Sequence, residues 1–447
     1  MSIDRSIFKA YDIRGVFPAQ MNAEAAGLVG RALADFLPAE GAVAVGRDMR
    51  ADSEELAQAL IKGLIKQGRD VIDIGLVTTE MAAFASGFYD LAGAAMITAS
   101  HNPGQYNGIK LCAIQAAPIG ITTGLKQIEA AAASLKFKDA PMVGTVKAKS
   151  IDADWVRHCL GFVNAKQWPR YKVAVDAGDG MAGKIFPELE KKVKLKVTEL
   201  FFELDGSFPN HPANPMVEAN LKDLIKAVVS QNLDLGIAFD GDGDRAFFVD
   251  ETGVPLSGSI TGAILIQRML EAHPGATILY DLRMSKIVPD TIEQFGGKAI
   301  RTPVGGGYIR PAIREHKAVL ACEGAGHFYF QDNYYSDSGL ITALLIIDVM
   351  VTKSQKLSEL AEPFRKYFDS GEINTEVQDP SKTLEKVAAA FKGNQQDRLD
   401  GLTVDCGDWW FNLRASNTEP LMRLNLEATS QAVMEQKRDD ILKLLSA

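Results

Sequence analysis

Asp240, Asp242 and Asp244 alternate with Gly241 and Gly243 in the stretch FDGDGDRAFFVDE. Glycine lets the chain wrap tightly enough to point all three carboxylates at one centre. Two unit charges ~4 Å apart repel by roughly 4 kcal/mol at an effective dielectric near 20, so the cluster calls for a cation. A hard divalent ion with oxygen ligands answers that need. Mg2+ is the expected ion, because three carboxylates leave coordination positions for phosphate or substrate oxygens. The alternative is a solvated acidic turn. A calcium EF-hand is excluded: Asp240, Asp242, Asp244 and Glu251 fall at its acidic positions, but Arg245 stands where the turn needs glycine. The flanks LGIAF and AFFV also read as strands, not helices.

A second cluster is RASNTEP, Arg414 to Pro420. Arg414 has the geometry to grip a phosphate through two parallel bonds, and Ser416, Asn417 and Thr418 add single donors and backbone amides. Alone, the stretch also fits a polar turn that caps a helix. The third is MITASHNPGQYNGIKL, residues 96–111, where an apolar run stops on Ser100 and is followed by His101, Asn102, Asn107 and Lys110. The stretch offers Ser100 no obvious activator. On their own, His101 reads as a turn residue and Lys110 as a solvated surface lysine.

The elements that must position these residues belong to a chain of 447 residues, enough for two to four domains. Hydrophobic residues make up 47% and charged residues 23%, a globular composition, and the net charge of -9 excludes a general affinity for nucleic acid or anionic membrane. Local arginines still allow a small anionic substrate. The four cysteines form no CxxC pair, so reduced thiols in the cytoplasm are expected. The N-terminus lacks the apolar core of a signal peptide, and no apolar run reaches the ~18 residues of a membrane span.

Short β-rich runs alternate with helical ones. AVAVG is followed by a helix over 53–67 with Leu56, Leu60 and Leu64 on one face, then by DVIDIGLV, a helix, and GAAMITAS. The rhythm restarts near 171 and 276, and the texture changes near 368. The expected fold is α/β: three repeated α/β domains with mixed sheets (1–148, 149–252, 253–367) plus a smaller C-terminal α+β domain (368–447), around a central cleft. Three apolar strands end in polar glycine-bearing loops: AAMITA into SHNPG, LGIAF into DGDGDR, and AVLAC into EGAGH. Ligands of open α/β sheets bind beyond the carboxyl ends of strands, so one cleft lined by all three is expected.

FKAYDIRG, TASHNP with YNGIK, DGDGDR, EGAGH and RASNTEP, in this order along nearly the whole chain, resemble the α-D-phosphohexomutase family, its phosphomannomutase branch above all. The resemblance implies that Ser100 is stored as phosphoserine, a phosphoryl donor that needs no adjacent base. It implies Mg2+ held by Asp240, Asp242 and Asp244 and touching the group on Ser100. His101 and Arg245 would bind the phosphoryl group, and Lys110 would act as general acid/base with a depressed pKa. Tyr11, Arg14, Arg283, Glu323 and His327 would line the sugar site, and Arg414, Ser416, Asn417 and Thr418 would anchor the substrate's phosphate. The implied reaction interconverts mannose 1-phosphate and mannose 6-phosphate through a hexose 1,6-bisphosphate, with glucose phosphates as further substrates. The implied enzyme is a cytoplasmic monomer or weak dimer with a phosphosugar partner and no nucleic acid or membrane partner.

Three positions depart from the family pattern: Ala325 replaces a serine, Gly306 a histidine and Arg283 a lysine. The two losses concern sugar contacts, not phosphoryl transfer. Phosphoglucomutase activity, a Mg2+-dependent sugar-phosphate phosphatase, and a non-catalytic sugar-phosphate binder remain the alternatives.

Overall fold

A computed structural model describes residues 3–38, 40–415 and 421–446. One pattern of strands occurs three times. Val43–Arg47 pairs in parallel with Val71–Leu76 on one side and Gly93–Ile97 on the other, and Gly93–Ile97 turns back into antiparallel Tyr106–Ala113. Tyr171–Asp176 stands in the same relation to Leu195–Leu200, Leu235–Phe239 and antiparallel Ala246–Asp250. Thr277–Asp281 repeats it with Lys298–Thr302, Leu320–Cys322 and Phe328–Phe330. In each unit the loop after the third strand carries the expected chemistry. None of the three loops leads into a helix. Each opens into an antiparallel return strand, which puts Lys110 opposite Met96, in the strand that delivers Ser100.

Helix Ser53–Lys66 buries Leu56, Leu60 and Leu64 completely, as their four-residue spacing requires. It crosses helix Ala23–Phe36 where glycines admit the neighbouring backbone. A Cβ on Gly63 would lie 2.2 Å from the Gly27 carbonyl oxygen, and one on Gly30 would lie 2.3 Å from that of Leu60. The first three units share a continuous apolar core running from Ala44 through Trp155, Phe186 and Phe248 to Phe364. The C-terminal unit has its own, built on Val387, Phe411 and Leu424. Its antiparallel sheet, ordered 368–376, 421–428, 409–415, 402–405, 395–397, carries helices Pro380–Ala390 and Gln431–Ser446. It meets the third unit through polar contacts: the Lys286 N–H donates to Glu427 at 2.9 Å, and Lys286 Nζ lies 3.0 Å from Asp405.

All four cysteines are free; Cys112, Cys159 and Cys322 are buried, while Cys406 is partly exposed. Among the described residues no helix is long and apolar enough to cross a membrane.

Candidate functional site

Ser100 sits three residues past the end of its strand in a left-handed conformation, φ 53°, and is 5% exposed. Thr98 Oγ1 accepts the Ser100 N–H at 2.9 Å. Behind the loop, Arg50 donates five hydrogen bonds: to the carbonyls of Ser100, Asn102, Pro103 and Tyr106 at 2.7–2.9 Å, and to Asp48 at 3.2 Å. The Phe208 ring covers the guanidinium at 5.2 Å, and Gly206 leaves room for its backbone. The motif reading passed over Arg50. Its signal was GRDMR, one more glycine-bearing polar loop at the carboxyl end of a strand.

The Ser100 hydroxyl donates to Asp240 Oδ2 at 3.1 Å and lies 3.1 Å from His101 Nδ1. Arg245 donates to the same His101 nitrogen at 2.6 Å, so the ring carries its proton on Nε2. Burial, then the neighbouring Arg245 and Arg14 charges, push this imidazole down to about 2. It is neutral and holds Arg245 through Nδ1, while Asp240 orients the serine hydroxyl.

The three aspartates are buried, at 0%, 0% and 2% exposure, on a turn that Gly243 closes with φ 81°. Arg245 pairs with Asp240 through Nε at 2.9 Å and Nη2 at 2.8 Å. Burial raises the Asp240 carboxyl to about 7, with Asp244 and Asp242 adding to it and Arg245 opposing. Asp242 takes the Thr79 hydroxyl, and its backbone carbonyl takes the Thr79 N–H at 3.0 Å. Lys110 Nζ lies 2.7 Å from both Asp242 and Asp244.

That placement corrects the expected depressed pKa of Lys110. Burial works against the ammonium, but the two carboxylates outweigh it and hold the group well above its ordinary value. Asp242 is held well below the usual carboxylate range by the same pair, against its own burial. Arg245 is paired with Asp240 at 2.8 Å and lies 4.0 Å from Asp244.

The triad fits a metal ion on the chemistry of its donors. One oxygen from each aspartate lies within 4.8 Å of the others. Asp242 Oδ1 and Asp244 Oδ1 are buried with no hydrogen-bond partner, an expensive state for an anionic oxygen that metal ligation relieves. Glu251, the last of the EF-hand positions, is elsewhere, accepting from the Ser358 hydroxyl at 2.5 Å.

The third loop brings Glu323 and His327 to the same place. Glu323 is 3% exposed and accepts from the Tyr329 hydroxyl at 2.5 Å. His327 Nδ1 lies 2.8 Å from Asp337 Oδ2, whose other oxygen takes Arg310 at 2.7 Å. Burial lowers the His327 imidazole, but the carboxylates of Asp244, Asp337 and Glu323 prevail and raise it. His327 Nδ1 is 3.9 Å from Asp244 Oδ1, so the aspartate loop and the Glu323–His327 loop touch. The Ala325 carbonyl lies 3.4 Å from Arg245 Nη1. A Cβ on Gly306 would meet the Tyr329 hydroxyl at 3.4 Å, and one on Gly307 would meet the Tyr11 ring at 2.7 Å. At position 306, that of the expected histidine, the neighbours are thus Tyr329 and Arg310, with Tyr11 beside position 307.

Arg14 pairs with Asp12 at 2.5 Å and donates to the Asn102 side chain at 2.5 Å, tying the AYDIRG segment to the Ser100 loop. Tyr11 itself is 47% exposed rather than buried. Its partial burial and the charges of Glu323 and Asp12 raise the phenol, while Arg283 and Arg414 pull it down, so these groups share one field. Arg283 pairs with Asp281 at 3.2 Å. Arg414 is held by Glu372 at 2.8 Å. Ser416, Asn417 and Thr418 lie outside the described residues.

The whole chain is similar to proteins of one family. Phosphoglucomutase/phosphomannomutase alpha/beta/alpha domains I, II and III match residues 5–139, 153–253 and 257–367, and the C-terminal domain of that family matches 372–444. A phosphomannomutase of Salmonella montevideo is 36% identical, covering 98% of this chain and 99% of its own length. A Xanthomonas campestris protein described as phosphohexose mutases is 38% identical, with 98% of both chains covered. Among solved structures, a phosphoglucomutase/phosphomannomutase family protein of Burkholderia thailandensis superposes with a TM-score of 0.91 at 31% identity, covering 99% of this chain and 97% of that one.

Proposed function

The chain belongs to the phosphoglucomutase/phosphomannomutase family and is a phosphohexomutase, an isomerase, and we propose that it moves a phosphoryl group between Ser100 and the two ends of an α-D-hexose phosphate, with mannose phosphates as its principal substrates. The observation that carries this reading is the Ser100 hydroxyl, fixed 3.1 Å from Asp240 in a triad whose other two members each keep a buried oxygen without a hydrogen bond. Glucose phosphates fit the same scheme, since Glu323 and His327 are present while Ala325 and Gly306 offer no side-chain donor.

Phosphoryl transfer asks a protein for in-line placement and charge neutralisation more than for covalent chemistry. Asp240, Asp242 and Asp244 would hold a Mg2+ ion beside Ser100, and that ion supplies neutralisation of the phosphoryl oxygens when bound. The remaining roles fall to side chains. Arg50 holds the Ser100 loop by its carbonyls, and Asp240 Oδ2 orients the hydroxyl hydrogen. Arg245, positioned by His101 and Asp240, offers a fixed cation to the phosphoryl group. Lys110 enters as an ammonium: it would give its proton to the Ser100 oxygen as the phosphoryl group leaves and, so freed, take up the proton of the attacking sugar hydroxyl. Glu323 and His327 recognise sugar hydroxyls, and Arg414 binds the phosphate that does not react. The substrate takes the phosphoryl group from phosphorylated Ser100, becomes a hexose 1,6-bisphosphate, turns end for end, and returns the other phosphate to the serine. Arg414 then serves either end of the sugar.

The test supplies mannose 1-phosphate and glucose 1-phosphate separately, with Mg2+ and a trace of glucose 1,6-bisphosphate. The reading expects 6-phosphate from both, faster from the mannose compound. Free phosphate without isomerised sugar would make the protein a phosphatase instead, and product from neither sugar would remove the mutase assignment.

A further inference from the structure

Two arginines face each other in the C-terminal sheet. Arg414 and Arg423 are direct cross-strand partners on strands Trp409–Ala415 and Leu421–Ala428. Like charges at such a position destabilise a sheet unless an anion lies between them. Here the anion is Glu372. Asn374 is the cross-strand partner of Arg423 on the other side, and Glu372, two residues earlier, falls on the same face. Its Oε2 lies 2.8 Å from Arg414 Nη2 and its Oε1 lies 3.5 Å from Arg423 Nη1. Neither arginine is saturated: the Nε atoms of both are buried without a partner. Glu372 also lines a cavity of about 840 Å³ together with Arg283 and Gly324, so its residue faces the unit that carries Glu323.

We infer that Glu372 is a stand-in for the substrate's phosphate: it holds the Arg414 guanidinium in the empty enzyme and yields it to the incoming phosphate, while Arg423 takes over the carboxylate. The inference rests on the reading of Arg414 as the phosphate anchor. It gives the anchor a property that a reaction with a turning intermediate needs. A guanidinium with a permanent competitor beside it releases one phosphate and takes the other without ever facing an empty, uncompensated site. Glu372 is therefore a positioning residue, and Arg423 its partner in the exchange.

Opposite changes in affinity test this. Calorimetry with mannose 1-phosphate, which needs no turnover, is run on the full chain and on two variants. Glu372→Gln removes the competitor and tightens binding about two- to fivefold, the range of a partly exposed ion pair. Arg423→Gln removes the alternative holder, leaves Glu372 on Arg414, and weakens binding by a similar factor. If Glu372 merely braces the sheet, both variants bind more weakly, and that result, or an unchanged affinity in Glu372→Gln, overturns the inference. Thermal unfolding of each variant, and the conservative Glu372→Asp, which keeps the competitor and so the parent affinity, separate exchange from lost folding. A control distinguishes the inference from the reading beneath it: if Arg414→Gln binds the sugar phosphate as well as the parent, Arg414 is no anchor and both fall; if only the variants at 372 and 423 fail, the anchor stands and the exchange does not.

Discussion

Replacing Arg50 by lysine tests whether catalysis depends on how the Ser100 loop is held. The guanidinium is fully buried and its planar fork serves four loop carbonyls and Asp48 at once. Lysine keeps the charge but places three donors on a single atom, with no fork. Two or more carbonyls lose their partner, at about 1–3 kcal/mol each. The loop is then less well ordered by roughly 2–6 kcal/mol, spread over the segment that carries the nucleophile. A displacement of about 1 Å at reacting atoms costs on the order of 10²-fold in rate. Arg50→Lys is therefore expected to lose about 10²-fold in kcat with KM for mannose 1-phosphate changed less than about threefold, since Glu323, His327 and Arg414 lie on other units. Hydrogen exchange should quicken across residues 98–106 and stay unchanged in the C-terminal sheet. A variant that turns over within about threefold of the parent would refute the reasoning, because a loop so loosened cannot keep its geometry.

Three further outcomes follow from the same contacts. Asp242→Asn should lower transfer by about 10²-fold or more while mannose 1-phosphate binding changes less than about twofold, because the lost charge serves the reacting phosphoryl group; equal losses in both would contradict its place in a metal site. Tyr329→Phe removes the donor to buried Glu323, at about 1–3 kcal/mol, so kcat/KM should fall about 5- to 150-fold with little change in the phosphorylation of Ser100. His211 predicts a pH effect: burial disfavours its charged ring, but Asp176 at 3.1 Å prevails and raises it from 6.5 to about 9. Its contribution is complete below pH 6.5 and is lost as the pH rises through about 9. After allowance for solvent screening it amounts to about 1–2 kcal/mol, so from pH 6 to 9.5 the 201–214 segment should lose protection from exchange in the parent more than in His211→Gln.

Local chemistry was legible in the sequence where a few adjacent residues define it. The alternation of Asp240, Asp242 and Asp244 with glycine carries its own geometry, and the Leu56, Leu60, Leu64 spacing carries a helix face. Ser100 was legible as a residue stranded at a strand's end, and the three polar loops as neighbours in one cleft. What the sequence concealed depends on pairings across long separations. Lys110 meets Asp242 from 132 residues away, and that contact, absent from any local pattern, turns an expected group of depressed pKa into a firmly held cation. Arg50 has no motif because four of its five side-chain bonds go to backbone carbonyls, which leave no trace in side-chain composition. The return strands were hidden for a similar reason. YNGIKLCA buries Asn107, Gly108 and Ile109 in a row and shows no strict alternation, and nothing within it states that it runs antiparallel to GAAMI. Glu372 became visible only when register set it between two arginines.

The most direct test of the whole account is the fate of one phosphoryl group. Protein first charged with glucose 1,6-bisphosphate carrying labelled phosphate is freed of excess ligand, mixed with unlabelled mannose 1-phosphate and Mg2+, and followed by intact mass together with the label in sugar. The account predicts that charged protein loses its label to hexose phosphate as isomerised product forms, and that Ser100→Ala neither takes up label nor isomerises the sugar. Isomerisation by Ser100→Ala at the parent's rate, or label that stays on the protein through many turnovers, would contradict it.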